Sequence, residues 1–194
     1  TFVGPKFKLH SSQDITLVGA FMELKIDGIS VPHKTVITAD SGSIVEIGRA
    51  THGCRSYLAF RDNIIGTDFL GSVSTYLPSK LGGLKGRMIQ KGDFISLEKN
   101  DYKEDYQESI EATQQANYSH SWLIRVTEGP EYNLLSTSSK DEIENNQYLI
   151  DKDSDRMGVR LNGSPLKIDE HGDMISSPMF PGMIQCPANG QPIL

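Results

Sequence analysis

Cysteine is scarce in this chain: Cys54 and Cys186 are the only two among 194 residues. That count excludes the disulfide framework of a small secreted domain and fits a reducing compartment. No apolar run approaches the ~20 residues that a membrane-spanning helix needs, and no signal peptide opens the chain, so a cytoplasmic location without membrane contact is expected. Basic residues are outnumbered, 19 Lys and Arg against 25 Asp and Glu, for a formal net charge of -6. Phosphate backbones require a basic surface, so nucleic acid is not expected as a partner. The five histidines, His10, His33, His52, His120 and His171, are too dispersed for zinc-ligand spacing. Residues Asp151, Asp153 and Asp155 imitate the start of a calcium loop. Arg156 then stands where the turn needs glycine and Asn162 where a glutamate is needed, so no metal is expected. Neither a G-x-S-x-G elbow nor a G-x-x-x-x-G-K-[ST] phosphate loop occurs. With one Trp among 15 aromatics, an exposed aromatic carbohydrate-binding face has little support.

What the chain does have is short β-branched or alternating runs, at residues 6–9, 15–18, 21–26, 35–38, 44–47, 57–60, 94–97, 122–126, 159–161 and 183–186. That is the rhythm of antiparallel sheet, and eighteen glycines scattered among the runs suit bulges and tight barrel corners. Asp27-Gly28 and Asn162-Gly163 read as two-residue hairpin turns, whose positive-φ positions favour Asn or Asp followed by Gly. Residues 99–118 hold five acids, two lysines and three glutamines and cannot supply a core face. The expected organisation is a first β module over 1–98, a polar linker over 99–120 and a second β module over 121–194. Charge divides the same way: residues 1–98 hold 11 basic and 9 acidic side chains, the remainder 8 and 16. One or two short helices are expected. The Tyr106/Ile110 spacing admits one over residues 106–116, and Ser139 with Glu142 has capping-box spacing for another that ends before Tyr148.

Candidate binding residues cluster near the C-terminal end. On an extended strand Arg156 and Arg160 would share a face, and two guanidinium groups side by side suit a carboxylate. Surface neutralisation by Asp151, Asp153 or Asp155 is the plainer alternative. Gln185 and Gln191 carry amides that can match the C=O and N–H of a small amide or ureido ligand, or else brace a turn. Upstream, Ser72 and Ser74 in a hydroxyl-rich turn, with Gly83 and Arg87 in a glycine-rich one, form a candidate oxyanion or phosphate loop; glycine-shaped barrel corners are the alternative. No catalytic nucleophile or general base stands out.

These segments also carry a family resemblance. Gly53-Cys54-Arg55-Ser56-Tyr57-Leu58-Ala59, Leu70-Gly71-Ser72-Val73-Ser74-Thr75-Tyr76, Leu81-Gly82-Gly83-Leu84-Lys85-Gly86-Arg87 and Lys91-Gly92-Asp93 resemble, in order, the GxRxYLA, LGSxST, GLGGxxGR and GD segments of the KipA-like proteins. Ile124-Arg125-Val126 with Gly129-Pro130 resembles their RVxxGP segment, and the stretches at 154–163 and 181–193 continue the match. The family comprises the C-type subunits of 5-oxoprolinase, in older naming allophanate hydrolase subunit 2. Two departures stand out. Arg61-Asp62-Asn63-Ile64 replaces a Gly-Gly-Ile, so that turn must be built differently. The family's TTVQDxGR-type and DxQTTGGYP-type segments also lie outside the chain, which reads as the middle of a longer protein with its second module incomplete.

The resemblance implies an all-β fold of two cyclophilin-like β-barrel modules, where strand rhythm alone would equally allow a jelly roll or a sandwich. It implies a subunit, inactive alone, of an ATP-dependent 5-oxoprolinase that opens the cyclic amide of 5-oxoproline to glutamate, with a KipI-like subunit and a LamB/YcsF-type subunit as partners. ATP would serve the complete complex. One alternative is a carboxyltransferase-like module related to urea carboxylase and allophanate metabolism, for which biotin would be the cofactor. Another is a non-enzymatic regulator that binds a KipI-like kinase inhibitor, with Tyr57, Tyr76 and Phe180 as interface anchors rather than barrel core.

Overall fold

The structure is a computed structural model that describes residues 2–101, 119–169 and 178–194. It divides into two compact units, Thr1–Trp122 and Leu123–Leu194. The helix expected over 106–116 and His171 lie outside the described residues. Of the described elements all but one α-helix and two short 3-10 turns are strands, so the chain is all-β. No helix among the described residues is long and apolar enough to cross a membrane.

The first unit is organised by two long strands. In chain order it contains β1 (Lys6–Lys8), β2 (Gln13–Ile26), β3 (Ile29–Val31), β4 (Ile37–Ala39), β5 (Ile44–Phe60), β6 (Asn63–Ile64) and β7 (Leu97–Glu98). The main sheet runs β1-β5-β2-β3, with β4 also on β2. Leu24 pairs with both Val31 and Ile47, and Ile15 with both Ile37 and Phe60. β3 and β4 therefore share one edge of β2, and β5 covers the other.

The runs at 15–18 and 21–26 are one strand. Ile15 and Leu17 are buried before Gly19, and Ala20, Met22 and Leu24 after it, so the buried positions change from odd to even. Pairing with β5 shifts between Gly19 and Phe21. This is a β-bulge, whose extra residue keeps the apolar face inward when the sequence alternation slips by one. Gly19 takes φ +102°, and a Cβ there would stand 2.5 Å from the Arg55 carbonyl oxygen. Ile44–Ile47 and Tyr57–Phe60 likewise join in the 17-residue β5. The core is Leu9, Ile15, Leu17, Met22, Leu24, Ala39, Val45 and Ile47.

Asp27 (φ 51°) and Gly28 (φ 82°) form the expected hairpin turn between paired Ile26 and Ile29. The Arg61-Asp62 turn is closed by a carboxylate in place of glycine flexibility. Asp62 accepts from the buried Gln13 Nε2 at 2.7 Å and from the Asn100 backbone N–H at 3.2 Å. These hydrogen bonds hold its carboxyl below the usual range.

In the second unit a 3-10 turn (Tyr132–Leu134) precedes α1 (Thr137–Asn145), β8 (Leu149–Ile150) and β9 (Leu161–Asn162). α1 starts two residues before Ser139. Its N-cap is Ser136, whose side chain accepts from the Ser139 N–H at 3.1 Å. Ser139 Oγ is then free to accept from the Lys167 N–H at 2.7 Å, tying the helix start to a distant segment. Residues 122–126, expected as a strand, form none; Trp122 and Leu123 are 62% and 96% exposed. Asn162-Gly163 is not a hairpin turn either. Asn162 lies in β9 opposite Leu149, and Gly163 lacks the positive φ such a turn requires.

Candidate functional site

Three backbone segments of the second unit lie side by side without forming long strands. Val159 and Leu194 exchange N–H···O=C bonds of 2.7 and 3.0 Å, and the Leu161 N–H donates to the Pro192 carbonyl at 2.9 Å. Arg160 therefore sits directly opposite Ile193. Gln185 and Ile193 exchange bonds of 2.8 and 2.9 Å, which puts Gln185 opposite Ile193 from the other side. Residues directly opposed in antiparallel pairs project to the same face. Arg160, Ile193 and Gln185 thus form a row on one face, with about 10 Å between the outer two Cα atoms.

Arg156 does not join the row. Between Asp151 and Arg160 the chain is a closed loop, pinned by the Asp151 N–H to the Arg160 carbonyl at 2.8 Å. Inside it Asp155 Oδ1 accepts from Met157 N (2.7 Å) and Gly158 N (3.2 Å), and Ser154 Oγ accepts from Arg160 N (3.0 Å). These side-chain turns replace strand pairing, so the four-residue spacing does not set Arg156 and Arg160 side by side as a strand would. Arg156 is exposed, and its guanidinium carries no hydrogen bond or ion pair among the described residues.

A cleft of about 410 Å³ opens beside Arg160, lined also by Asp151, Asp153, Asn162, Asn189 and Gln191, with Pro192 and Ile193. Gln191 is in it but is committed: its Oε1 accepts from the Gly163 N–H and its Nε2 donates to the Gly163 carbonyl, both at 3.1 Å. It braces the wall, as the turn-bracing reading has it. Asp151 is committed as well, accepting from the Asp153 N–H at 2.7 Å and from the Asn162 amide. Those bonds, the backbone one first, hold its carboxyl below the ordinary range. Asn189 Oδ1 accepts from Gln191 N at 3.1 Å. The guanidinium of Arg160 and the carboxylate of Asp153 carry no hydrogen bond or ion pair among the described residues. Gln185 does not line the cleft.

Sequence reasoning found Arg160 and Gln191 but missed Asp153 and Asn189 as cleft residues. The aspartate alternation at 151–155 was visible, yet only the loop closure engages Asp155 with backbone N–H groups and Asp151 with the Asp153 N–H and the Asn162 amide, leaving the Asp153 carboxylate without a hydrogen bond among the described residues. Among the described residues no group of three or more His, Cys, Asp or Glu is placed to hold a metal ion.

The upstream loop has a different character. Arg87 makes a bidentate pair with Asp93, Nη1 to Oδ2 and Nη2 to Oδ1, each 2.7 Å, and donates to the Met88 carbonyl at 2.9 Å. Asp93 Oδ2 also accepts from Gln90 N at 2.7 Å. The Arg87 pair, with this backbone bond, holds the Asp93 carboxyl far below its usual range. Ser72 Oγ accepts from Ser74 N at 3.2 Å, and the Gly83 carbonyl accepts from Thr67 N at 2.8 Å. At Gly83 (φ +55°) a Cβ would fall 1.9 Å from Thr75 Oγ1. The glycines shape a corner and the one arginine clasps it. Tyr57, Tyr76 and Phe180 are exposed and belong to no core.

The chain is all-β, and its second unit holds an arginine and an aspartate in a polar cleft. The model of the carboxyltransferase domain, subdomain A and B, matches residues 1–194, and the chain belongs to that family. It is 34% identical over 178 residues to the C-type subunit of 5-oxoprolinase from Escherichia coli (strain K12), covering 92% of this chain and 56% of that protein. It is 30% identical over 170 residues to the urea amidolyase of Saccharomyces cerevisiae, covering 84% of this chain and 9% of the relative. Among solved structures, the urea amidolyase of K. lactis superposes with a TM-score of 0.77 at 27% identity, over 87% of this chain and 11% of that one. The chain thus spans about half of the first relative's length.

Proposed function

We propose that this chain is part of a C-type subunit of 5-oxoprolinase and that the Arg160 cleft holds the carboxylate of 5-oxoproline while partner subunits complete the chemistry. The observation that carries this reading is the uncommitted Arg160 guanidinium in a polar cleft, within a chain similar to such subunits over most of its length. A guanidinium fork binds a carboxylate in two parallel bonds and so fixes its orientation as well as its position. Gln191 and Asp151 keep the cleft wall in shape, Asp153 and the Asn189 amide face the ligand, and Gln185 extends the same face.

ATP use is assigned to the assembled complex, with the KipI-like and LamB/YcsF-type subunits as partners. The upstream loop does not fit a triphosphate: its arginine is clasped by Asp93 and its glycine corner is closed on its own backbone. No step at this chain is therefore routed through ATP. The action is assigned to the cytoplasm.

The test is reconstitution of the full-length protein with both partners, measuring glutamate release from 5-oxoproline with and without ATP, for wild type and Arg160→Ala. ATP-dependent release that falls at least about a hundredfold in the variant, with the complex still assembled, is the expected result. Assembly without turnover in the wild type would overturn it. A second reading, a carboxyltransferase module acting on urea-like acceptors, is favoured by the similarity to urea amidolyases. It requires transfer from carboxybiotin to urea in the same assembly.

A further inference from the structure

The cleft contains one cation, Arg160, and two carboxylates: Asp151 is hydrogen-bonded to the wall and feels the charge of Arg160, while the side chain of Asp153 has no hydrogen bond or ion pair among the described residues. Arg160 and Asp153 line the same 410 Å³ space, within the ~300–1,000 Å³ range of small-ligand sites. Both residues are exposed, and no ion pair joins their side chains among the described residues. The backbone of each is anchored separately. The Asp153 N–H is fixed to Asp151 Oδ1 at 2.7 Å, and Arg160 is fixed at both N–H and C=O by Ser154 Oγ, at 3.0 and 3.3 Å. The ligand complementary to such a pair carries an anion at one end and an N–H or ammonium at the other.

We propose that Asp153 is a specificity-determining residue of this cleft, receiving the nitrogen of the bound amino acid, so that the ring-opened product is held more tightly than the cyclic substrate. The inference rests on the assignment of Arg160 to a carboxylate made above. Ring opening adds one water across the lactam C–N bond. Oxygen goes to the carbonyl carbon, the bond to nitrogen breaks, and nitrogen takes both protons once the new carboxyl ionises. The 5-oxoproline anion plus water is thereby converted to the glutamate anion with no net change in charge. At the nitrogen, however, a neutral single donor becomes an ammonium with three donors and a positive charge. With the Asp153 carboxylate the lactam N–H makes a hydrogen bond in which only the acceptor is charged, whereas the ammonium adds a full opposite charge and two further donors. Asp153 therefore discriminates between the two ligands, whereas Arg160, which meets the same carboxylate in both, does not. Asn189, on the same cleft wall, offers its amide to the second carboxylate that ring opening creates.

The consequence is product retention: glutamate competes with 5-oxoproline at this cleft, and Asp153 sets the strength of that competition. The side chain of Asp153 makes no hydrogen bond among the described residues, and its backbone contact to Asp151 survives substitution, so Asp153→Asn preserves the loop.

The experiment is titration calorimetry of the full-length protein with L-glutamate, with 5-oxoproline and with 2-pyrrolidinone, which is the lactam without its carboxylate. Wild type, Asp153→Asn and Arg160→Gln are compared, with turnover of the reconstituted complex measured in parallel. Glutamate is expected to bind wild type about tenfold more tightly than 5-oxoproline and to lose about that factor in Asp153→Asn, while 5-oxoproline changes by less than about threefold. Arg160→Gln weakens both by similar factors, and 2-pyrrolidinone binds none of the three. Equal effects of Asp153→Asn on glutamate and 5-oxoproline, or none on either, would overturn the inference; intact 5-oxoproline turnover would then leave the proposed function standing. Glutamate binding that depends on Asp153 in a complex that never turns over 5-oxoproline would support the inference and remove the proposed reaction instead.

Discussion

Gln191 and Gly163 form a closed two-bond ring: the side-chain amide accepts from the Gly163 N–H and donates to its carbonyl, each at 3.1 Å. The amide here plays the part of a neighbouring strand. It satisfies a backbone that β9 has just left, and it fixes one wall of the cleft.

Replacing Gln191 by Glu leaves acceptance from the Gly163 N–H intact but sets a carboxylate oxygen against the Gly163 carbonyl. A loss of about 1–3 kcal/mol is expected, read as a lower urea midpoint with an unchanged slope. Gln191→Ala removes both bonds and exposes the backbone to water, with a loss nearer the lower end. Both variants are expected to weaken ligand binding less than Arg160→Ala does, because the Gln191 amide is already engaged by Gly163 on both sides.

Gly19→Val should destabilise the first unit by about 3 kcal/mol. The position combines a left-handed φ of +102° with a backbone oxygen 2.5 Å from any Cβ, and neither can relax without moving β5. Hydrogen exchange is the measurement, with lost protection expected on both sides of the bulge. A neutral outcome would show that the β2–β5 register is not held there.

Acid should loosen the glycine corner in the first unit. Asp93 has its carboxyl lowered chiefly by the Arg87 pair. Stability from a depressed carboxyl is fully present above its unfolded value of about 3.9 and fades as pH falls below that toward the folded value. Asp93→Asn is therefore less stable than wild type at pH 7, and the difference narrows below about pH 4. A gap that stayed constant down to pH 2 would assign the effect to shape rather than charge.

The two thiols should separate by reactivity. Cys54 is exposed, whereas partial burial raises the pKa of the Cys186 thiol and keeps less of it as thiolate. Alkylation at pH 8 is expected to label Cys54 first, with Cys186 following faster as the pH is raised. Mass spectrometry of the modified peptides reads the order. Equal rates would contradict the burial of Cys186.

Strand rhythm, the Asp27-Gly28 turn and the all-β class were legible because they depend on neighbours in sequence: alternation, β-branching and a dipeptide that accepts positive φ at both positions. The family was legible in the spacing of the Tyr57-Leu58-Ala59, Gly71-Ser72 and Gly82-Gly83 segments. The union of two runs into β2 was not, because a bulge at Gly19 reverses the buried parity and that reversal is compensated only by its partner strand. The helix start was read three residues late at its cap, because Ser136 and Ser139 are equally good capping residues locally. Tertiary hydrogen bonding decides it: Lys167 takes the Ser139 hydroxyl and leaves Ser136 as the cap.

For the site, the sequence by itself determined which functional groups are available: arginines, side-chain amides and aspartates near the C-terminal end. Only the tertiary structure decided which of them remain uncommitted. Hydrogen-bonding groups are satisfied by whatever lies nearest in space. Closure of the 151–160 loop engages Asp151 and Asp155, and Gly163 engages Gln191, while the side chains of Arg160 and Asp153 line one cleft without a hydrogen bond among the described residues.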